Sequence, residues 1–395
     1  MKKLSAVLFA VLLIVSTLAA FPFSAGAATL NEKEDNDSIS NAQLITLGDT
    51  LNGTFGSSDN DFYKFISNED GKMNITFKIT NPKESKNYGS FYLALYGPNE
   101  EEIGMVTVDV GETSNVVLPF IGAKAGTYYY LQIYEGSIYC ENRNYQIKTS
   151  FTKGKYEGEA NETENTACKY ILANDYKGTI GGDSLNGDSW GAYDRDYYYM
   201  KAPAAGTLTV TFSHKKRTGI YNWSGWYVDF YKHHNGGNLS LTKGAIYLTD
   251  ANSKKLYSST TVKKGNTFYL SVQSTQDYAL TGGDTYTASD IVGEPYTISS
   301  TFVLAAKPKI TVKTTKSSVT MSAKKLSDVT GYEIQMKSGK KFKKIATTKK
   351  AALKYTKKGL KKSTKYTFRV RAYLKKDGTK YYGKWVTVTA KTKAS

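Results

Sequence analysis

Histidine and cysteine are scarce in this chain, and each shortage closes off a class of answer. Only three histidines occur in 395 residues: His214, His233 and His234. None lies three residues after an aspartate, and the chain holds no H-E-x-x-H, no G-x-S-x-G and no phosphate-cradling glycine loop. Gly182-Asp183-Ser184-Leu185 matches the nucleophile block of one lipase and esterase family, but it lacks a downstream Asp-x-x-His and lies in an insertion between strand-like segments. The adjacent His233 and His234 would point to opposite faces of a strand, as surface residues do. No carboxylate pair recommends itself for glycoside cleavage, so an enzyme is not expected. Two cysteines, Cys140 and Cys168, exclude a disulfide framework. One bridge across the junction of the first two units and two free thiols both remain open.

Long apolar runs are missing after the first residues. Residues 1–27 carry two lysines, an apolar stretch and the small-residue stop Ala25-Gly26-Ala27, the pattern of a secretory signal peptide. No later run is long enough to cross a bilayer. The C-terminal "TVTAKTKAS" has no hydrophobic tail and no sorting signal. A secreted chain is expected, either released or associated with a cell wall without a covalent anchor. Helix-period stretches are also absent. Instead, tyrosine is abundant at 32 residues, and short alternating segments such as "KMNITFKIT", "GTLTVTFSH" and "YTFRVRAY" recur between Gly, Asn, Asp and Lys. The class is all-β.

Charge is unevenly spread. The net +18 divides into −8 over residues 28–152, zero over 153–304 and +24 over 305–395, where 27 basic residues face 3 acidic ones. A positive field of that size must reach into solvent. The last segment is therefore expected to meet an anionic cell-wall polymer. Only Arg369 and Arg371 supply a bidentate fork there, which argues against specific nucleic-acid reading.

One pattern is written twice. "EKEDNDSISNA" from Glu32 and "EGEANETENTA" from Glu157 both fit E-x-E-x-N-[DE]-[ST]-x-x-x-A. The match continues in order: "SDNDFYKF" with "YDRDYYYM", "SFYLALYGPN" with "GWYVDFYKHH", and "YQIKTSF" with "YTISSTF". An order-preserving match over a whole unit indicates a duplicated domain. In an extended segment alternate residues share a face, about 7 Å apart. Glu32, Glu34 and Asn36 would then line one side, and Glu157, Glu159 and Asn161 would do so in the second copy. A hard cation taking six to eight oxygens relieves their repulsion. Asp37 and Asp61, or Glu162 and Asp196, complete each set. The other possibility is a solvated acidic linker whose Asn and Asp cap turns, with Asp59 and Asp194 as turn residues.

These residues resemble the bacterial pre-peptidase C-terminal domain, a family that includes the collagen-binding domains of clostridial collagenases. The resemblance covers residues 28–152 and 153–304 and implies two tandem jelly-roll-like β-sandwiches. It also implies that the acidic segment binds Ca2+ together with the D-x-D aspartate. Residues 305–395 resemble a lysine-rich fibronectin type III domain of Gram-positive secreted proteins. Tyr366 stands at the tyrosine-corner position, with Phe368, Val370 and Ala372 alternating inward. Ala323 replaces the usual core tryptophan.

Alternation in "WYVDFY" places Trp226, Val228 and Phe230 in the core and turns Tyr227 and Tyr231 outward. Tyr92 and Tyr96 match them in the first unit. "TYYYLQIY" exposes either Tyr128 with Tyr130 or Tyr129 with its alternates. Outward tyrosines suit a polysaccharide or a collagen-like protein, and the resemblance implies ligand contact from the same strand. The expected function is a secreted, calcium-stabilised, non-catalytic protein that binds extracellular polymer. The alternatives are a hydrolase with an unrecognised site or an accessory subunit of a secreted hydrolase.

Overall fold

The computed structural model describes residues 27–57, 59–82, 89–100, 102–118, 121–136, 140–158, 161–180, 195–218, 224–234, 237–247, 249, 255–274 and 294–395. The signal segment, Glu159, Asp194 and the Ser184 block lie outside the described residues, apart from Ala27. Among the described residues the chain is all-β, with no α-helix and a single 3-10 turn at Ile39–Asn41. No helix among them is long and apolar enough to cross a membrane.

Alternating sequence builds the first sandwich. In Gly71–Ile79, Met73, Ile75, Phe77 and Ile79 are buried while Lys72, Asn74 and Thr76 are half-exposed and Lys78 is exposed. Its sheet runs Thr29–Asn31, Thr50–Phe55, Arg143–Lys153, Gly71–Ile79 and Val116–Val117, with Ile121–Ala123 also paired to Gly71–Ile79. The facing sheet runs Gln43–Thr46, Asn60–Ile66, Tyr128–Glu135, Ser90–Tyr96 and Glu102–Asp109. Its inward set includes Tyr63, Phe65, Leu93, Leu131 and Ile133.

The second sandwich repeats this order. Cys168–Tyr170, Arg195–Lys201, Thr267–Ser274, Gly225–His234 and Gly237–Tyr247 form the equivalent facing sheet. Trp226, Val228 and Phe230 are fully buried there, as alternation requires. Cys140 sits in the first core and Cys168 in the second, and both are free thiols. The bridge is not formed, because each thiol points into its own sandwich.

The third unit pairs Thr311–Thr314, Ser318–Ala323 and Leu353–Lys358 in one sheet. Its facing sheet holds Gly331–Ser338, Lys341–Thr347, Lys365–Lys376, Thr379–Gly383 and Val386–Lys391. Phe368, Val370 and Ala372 point inward, and the Tyr366 hydroxyl accepts the Lys361 N–H at 2.9 Å. Ala323 is half-buried at the rim of this core.

Both junctions are structural. At the first, the Glu157 main chain packs directly on Gly122 of the first sandwich, where any Cβ would collide with the Glu157 carbonyl. At the second, the strand Tyr296–Leu304 pairs in parallel with Thr379–Gly383 through Val303–Tyr382 and Leu304–Gly383, so one sheet runs through two units. Tyr381 leaves its own unit to join the core of the second sandwich, 3% exposed and edge-on to Phe302 at 5.6 Å. Tyr381→Ala should therefore destabilise the second sandwich by about 3 kcal/mol, in the range of a large aromatic truncation in a core. Urea unfolding of residues 153–395 followed at Trp226 tests this, and an unchanged midpoint there would count against the shared core.

Candidate functional site

The acidic motif begins where its strand ends. Thr29–Asn31 pairs with Thr50–Phe55, and Glu32 continues that pairing by one bond, its N–H donating to the Asn52 carbonyl at 2.9 Å. Asp35 then takes a left-handed φ of 71°. The extended alternation expected for Glu32, Glu34 and Asn36 is broken there: Glu32 and Glu34 line one cleft, and Asn36 is buried outside that lining. Glu32 turns inward, Glu34 and Asp37 stay exposed at the rim, and Asn36 is buried.

Glu32 meets two tyrosines that strand periodicity alone does not single out. Its Oε1 accepts the Tyr145 hydroxyl at 2.7 Å and also the Tyr63 hydroxyl, and its Oε2 accepts the Thr54 N–H at 2.8 Å. The Tyr145 hydroxyl also lies 2.6 Å from Asp61 Oδ2 and contacts the Tyr63 hydroxyl. The second copy repeats the arrangement. Tyr296 reaches Glu157 Oε2 at 2.9 Å, the Tyr198 hydroxyl at 2.7 Å and Asp196 Oδ2. Tyr198 reaches Glu157 Oε2 at 3.0 Å, and the Thr179 N–H donates to Glu157 Oε1 at 2.6 Å. The sequence signal for these partners was the repeat itself: Tyr63 with Tyr198 and Tyr145 with Tyr296 occupy matching positions. "LNGTF" (51–55) and "YKGTI" (176–180) match as well. Their glycines have a steric reason. A Cβ on Gly53 would lie 2.3 Å from the Tyr145 ring, and one on Gly178 would lie 2.0 Å from Glu157 Oε2.

Protons are in short supply in this cluster. Four oxygen–oxygen contacts in the first copy share two tyrosyl protons. A third proton on a carboxyl relieves the deficit. Burial, with the charge of Glu32 added, pushes the Asp61 carboxyl well above the usual carboxylate range. Burial raises Asp196 in the same direction. Partial burial and then the charges of Glu32, Asp59, Asp37 and Asp35 push Glu34 up.

Several polar atoms are buried with no partner: Asn36 Oδ1 and Nδ2, Asp61 Oδ1 and Asn161 Oδ1. The Asn36 carbonyl is occupied, accepting the Phe62 N–H at 2.9 Å, and the Asn161 carbonyl accepts the Tyr197 N–H likewise. Among the described residues, no three His, Cys, Asp or Glu side chains converge as a metal cluster. The chemistry of the donors still fits a hard cation, because the set is all-oxygen and each copy leaves at least one buried oxygen without a partner. Asp59 is a turn residue, its Oδ2 accepting the Gly56 N–H at 2.6 Å. Glu162 is half-exposed, and its charge acts on Asp196.

The two copies differ in access. A cleft of about 410 Å3 opens at the first, lined by Glu32, Glu34, Asn52, Thr54, Asn144 and Tyr145. Glu157 is instead 1% exposed. A Cβ on Gly122 would lie 1.7 Å from the Glu157 carbonyl, and one on Gly158 would lie 2.2 Å from Lys124 Cε. Gly158 stands where the first copy has Lys33, so the first sandwich closes over the second motif.

The tyrosines divide as alternation requires, with one correction. Tyr128 and Tyr130 face outward while Tyr129 is core, and Tyr92 and Tyr96 are half-buried on the same outer face. Tyr130 lies opposite Tyr96, and the Tyr92 and Tyr134 rings are 5.2 Å apart. In the second unit Tyr227 is half-buried, but Tyr231 is only 4% exposed. Its hydroxyl donates to Glu164 at 2.6 Å and its ring stacks on Tyr269 at 5.6 Å, so the segment bearing Glu164 covers it.

Residues 306–389 match the family model of the fibronectin type III domain. The C-terminal unit is a fibronectin type III domain. No curated protein matches the chain. Among solved structures, the crystal structure of FN3tt is 25% identical, covering 22% of this chain and 90% of its own, with a TM-score of 0.19. A two-domain fibronectin type III segment of chicken tenascin is 14% identical, covering 50% and 98%, with a TM-score of 0.22. A β-1,2-glucanase from Parabacteroides distasonis is 14% identical, covering 49% and 28%, with a TM-score of 0.18. In the fibronectin type III domain Arg371 Nη2 donates to Glu333 Oε2 at 2.8 Å, whereas the Arg369 Nε donates to the neutral Gln335 Oε1 at 2.8 Å.

A raised Asp61 pKa sets a sign. The folded state holds a proton that the unfolded chain releases above about pH 4. Stability is therefore complete below that value and is lost as pH rises toward the raised one. In chelator, the melting temperature of residues 28–152 should fall from pH 5 to pH 8, and Asp61→Asn should flatten the slope. A rising profile in the native protein would contradict the shared proton.

Proposed function

We propose that the chain is a secreted, non-catalytic binding protein whose sandwiches are stabilised by Ca2+ and whose surfaces hold extracellular polymer. The carrying observation is the pair of buried oxygens without partners, Asn36 Oδ1 and Asp61 Oδ1, the second in the cluster that Tyr145 shares with Glu32. Asn36, Asp61 and Glu32 would hold the ion, with Glu34 and Asp37 at the rim. Asn161, Asp196 and Glu157 would do so in the second copy, with Glu162 adjacent. Calcium supplies charge to carboxylates that otherwise need a proton, and so ties the N-terminal segment to the sheet. Its chemistry here is structural.

Polymer binding is assigned to the outer face bearing Tyr92, Tyr96, Tyr128 and Tyr130. Rings fixed on a sheet lose little entropy on stacking, and their hydroxyls remain available to a polysaccharide or a collagen-like peptide. The fibronectin type III domain, with its net +24, adds attraction to an anionic wall polymer and keeps the protein at that surface. The attraction should fade as the Debye length falls from about 10 Å at 0.1 M salt to about 3 Å at 1 M.

Calcium at a hundredfold excess over Kd should stabilise residues 28–152 by about 2.7 kcal/mol. Asp61→Asn and Glu32→Gln should remove most of that gain. Differential scanning calorimetry in calcium and in EDTA measures it, and superimposable curves would remove the basis for the metal.

A further inference from the structure

We infer that the fibronectin type III domain carries a shaped oxyanion site centred on Arg369, and that its ligand is a phosphodiester-linked polymer. This rests on the anionic-surface reading above and gives that attraction a place and a geometry.

Five side chains form a stack on the outer face of one sheet, in the order Phe342, Arg369, Trp385, Arg371, Tyr382. The Arg369 guanidinium lies 4.4 Å from the Phe342 ring centroid and 4.4 Å from that of Trp385. Arg371 lies 4.4 Å from Trp385 and 3.7 Å from Tyr382. Each guanidinium is thus held between two aromatic faces, which fixes its plane without neutralising it.

A hydrogen-bond chain along the same face then separates the two arginines by charge. Arg371 donates to Glu333 through Nε and Nη2. Gln335 Nε2 donates to the other oxygen of Glu333 at 2.8 Å, while Gln335 Oε1 accepts the Arg369 Nε. The carboxylate of Glu333 is spent on Arg371, whose pull holds its pKa below the usual range against the cost of burial. Arg369 receives only an amide oxygen. Its orientation is fixed and its charge is left without a carboxylate.

Among the described residues the surroundings add no acid. Gln335 pairs across the sheet with Lys344, and Arg369 pairs with Thr387. The domain's other acidic residues are Asp328, which pairs with Lys264 of the second sandwich, and Asp377. A planar fork with no anionic partner among the described residues, held between two rings and with Lys344 on the neighbouring strand, matches two oxygens of one phosphate. A flexible lysine offers a point charge and no such match. Successive phosphates along a chain would then reach the flanking lysines, which suits a polymer better than a single ion.

The test uses the full chain and immobilised poly(glycerol phosphate), with polyglutamate as a second surface. Arg369→Lys keeps the charge and removes the fork, and should weaken binding to the phosphodiester polymer roughly tenfold, the low end for one bidentate contact. Lys344→Gln removes a full charge and should cost less. Equal binding of Arg369→Lys and the native chain would overturn the shaped site while leaving diffuse attraction standing. Failure of the native chain to bind either surface would overturn the anionic-surface reading itself. Equal loss on polyglutamate would overturn the commitment to phosphate. Should Arg369→Lys fail to fold, Gln335→Ala keeps every charge and frees the guanidinium. It should weaken binding several-fold, and unchanged affinity would overturn the proposal.

Discussion

Two carboxylates and two tyrosine hydroxyls buried together in each sandwich impose the constraint on which the rest depends. Glu32 arrives from the N-terminal segment, Asp61 and Tyr63 from one sheet and Tyr145 from the other. Three separate pieces of chain must therefore meet before these polar groups are satisfied together. Leaving one carboxylate buried alone would cost several kcal/mol, so the cluster sets the register of the entering segment against both sheets. The glycine beneath each cluster follows from the same demand, since any side chain there would displace a tyrosine ring.

Duplication kept the cluster and changed its exposure. The first copy faces a cleft, whereas the second lies under the first sandwich, with Gly158 in place of Lys33 to admit Lys124. One set of groups thus does different work at its two positions: the first ties the segment around Glu32 to its sandwich and the second secures a junction. Because Glu157 contacts Gly122 through its main chain and Tyr198 and Tyr296 through its side chain, a shift at the junction must also disturb the second core.

Much of this was legible in the sequence. Alternation placed Trp226, Val228, Phe230, Phe368 and Val370 inside, and the repeat aligned two sandwiches with the same strand order. The cluster was half legible: Glu32, Asp61, Glu157 and Asp196 stood out as acids, while nothing in the local pattern singled out Tyr63 and Tyr145. Period-two logic fails at Asp35, because one left-handed residue rotates everything after it. It also fails at Tyr231, whose cover comes from a segment 67 residues away in the chain. Neither event leaves a local pattern. The passage of a sheet from the second sandwich into the fibronectin type III domain was invisible for the same reason, since its pairing involves two residues per strand.

That continuous sheet bears on how the basic domain works. A module on a flexible tether would present its charge in every direction. Here Tyr381 is locked in the neighbouring core and Val303 pairs with Tyr382. Tyr382 is also the last ring of the stack that holds Arg371. The strand that joins the two units therefore ends in the stack that fixes the guanidiniums, and the hydrogen-bond chain through Glu333 and Gln335 carries that order on to Arg369. Orientation of the positive face is set by packing in the second sandwich, so loosening that core should blur the geometry at Arg369 without changing a single charge.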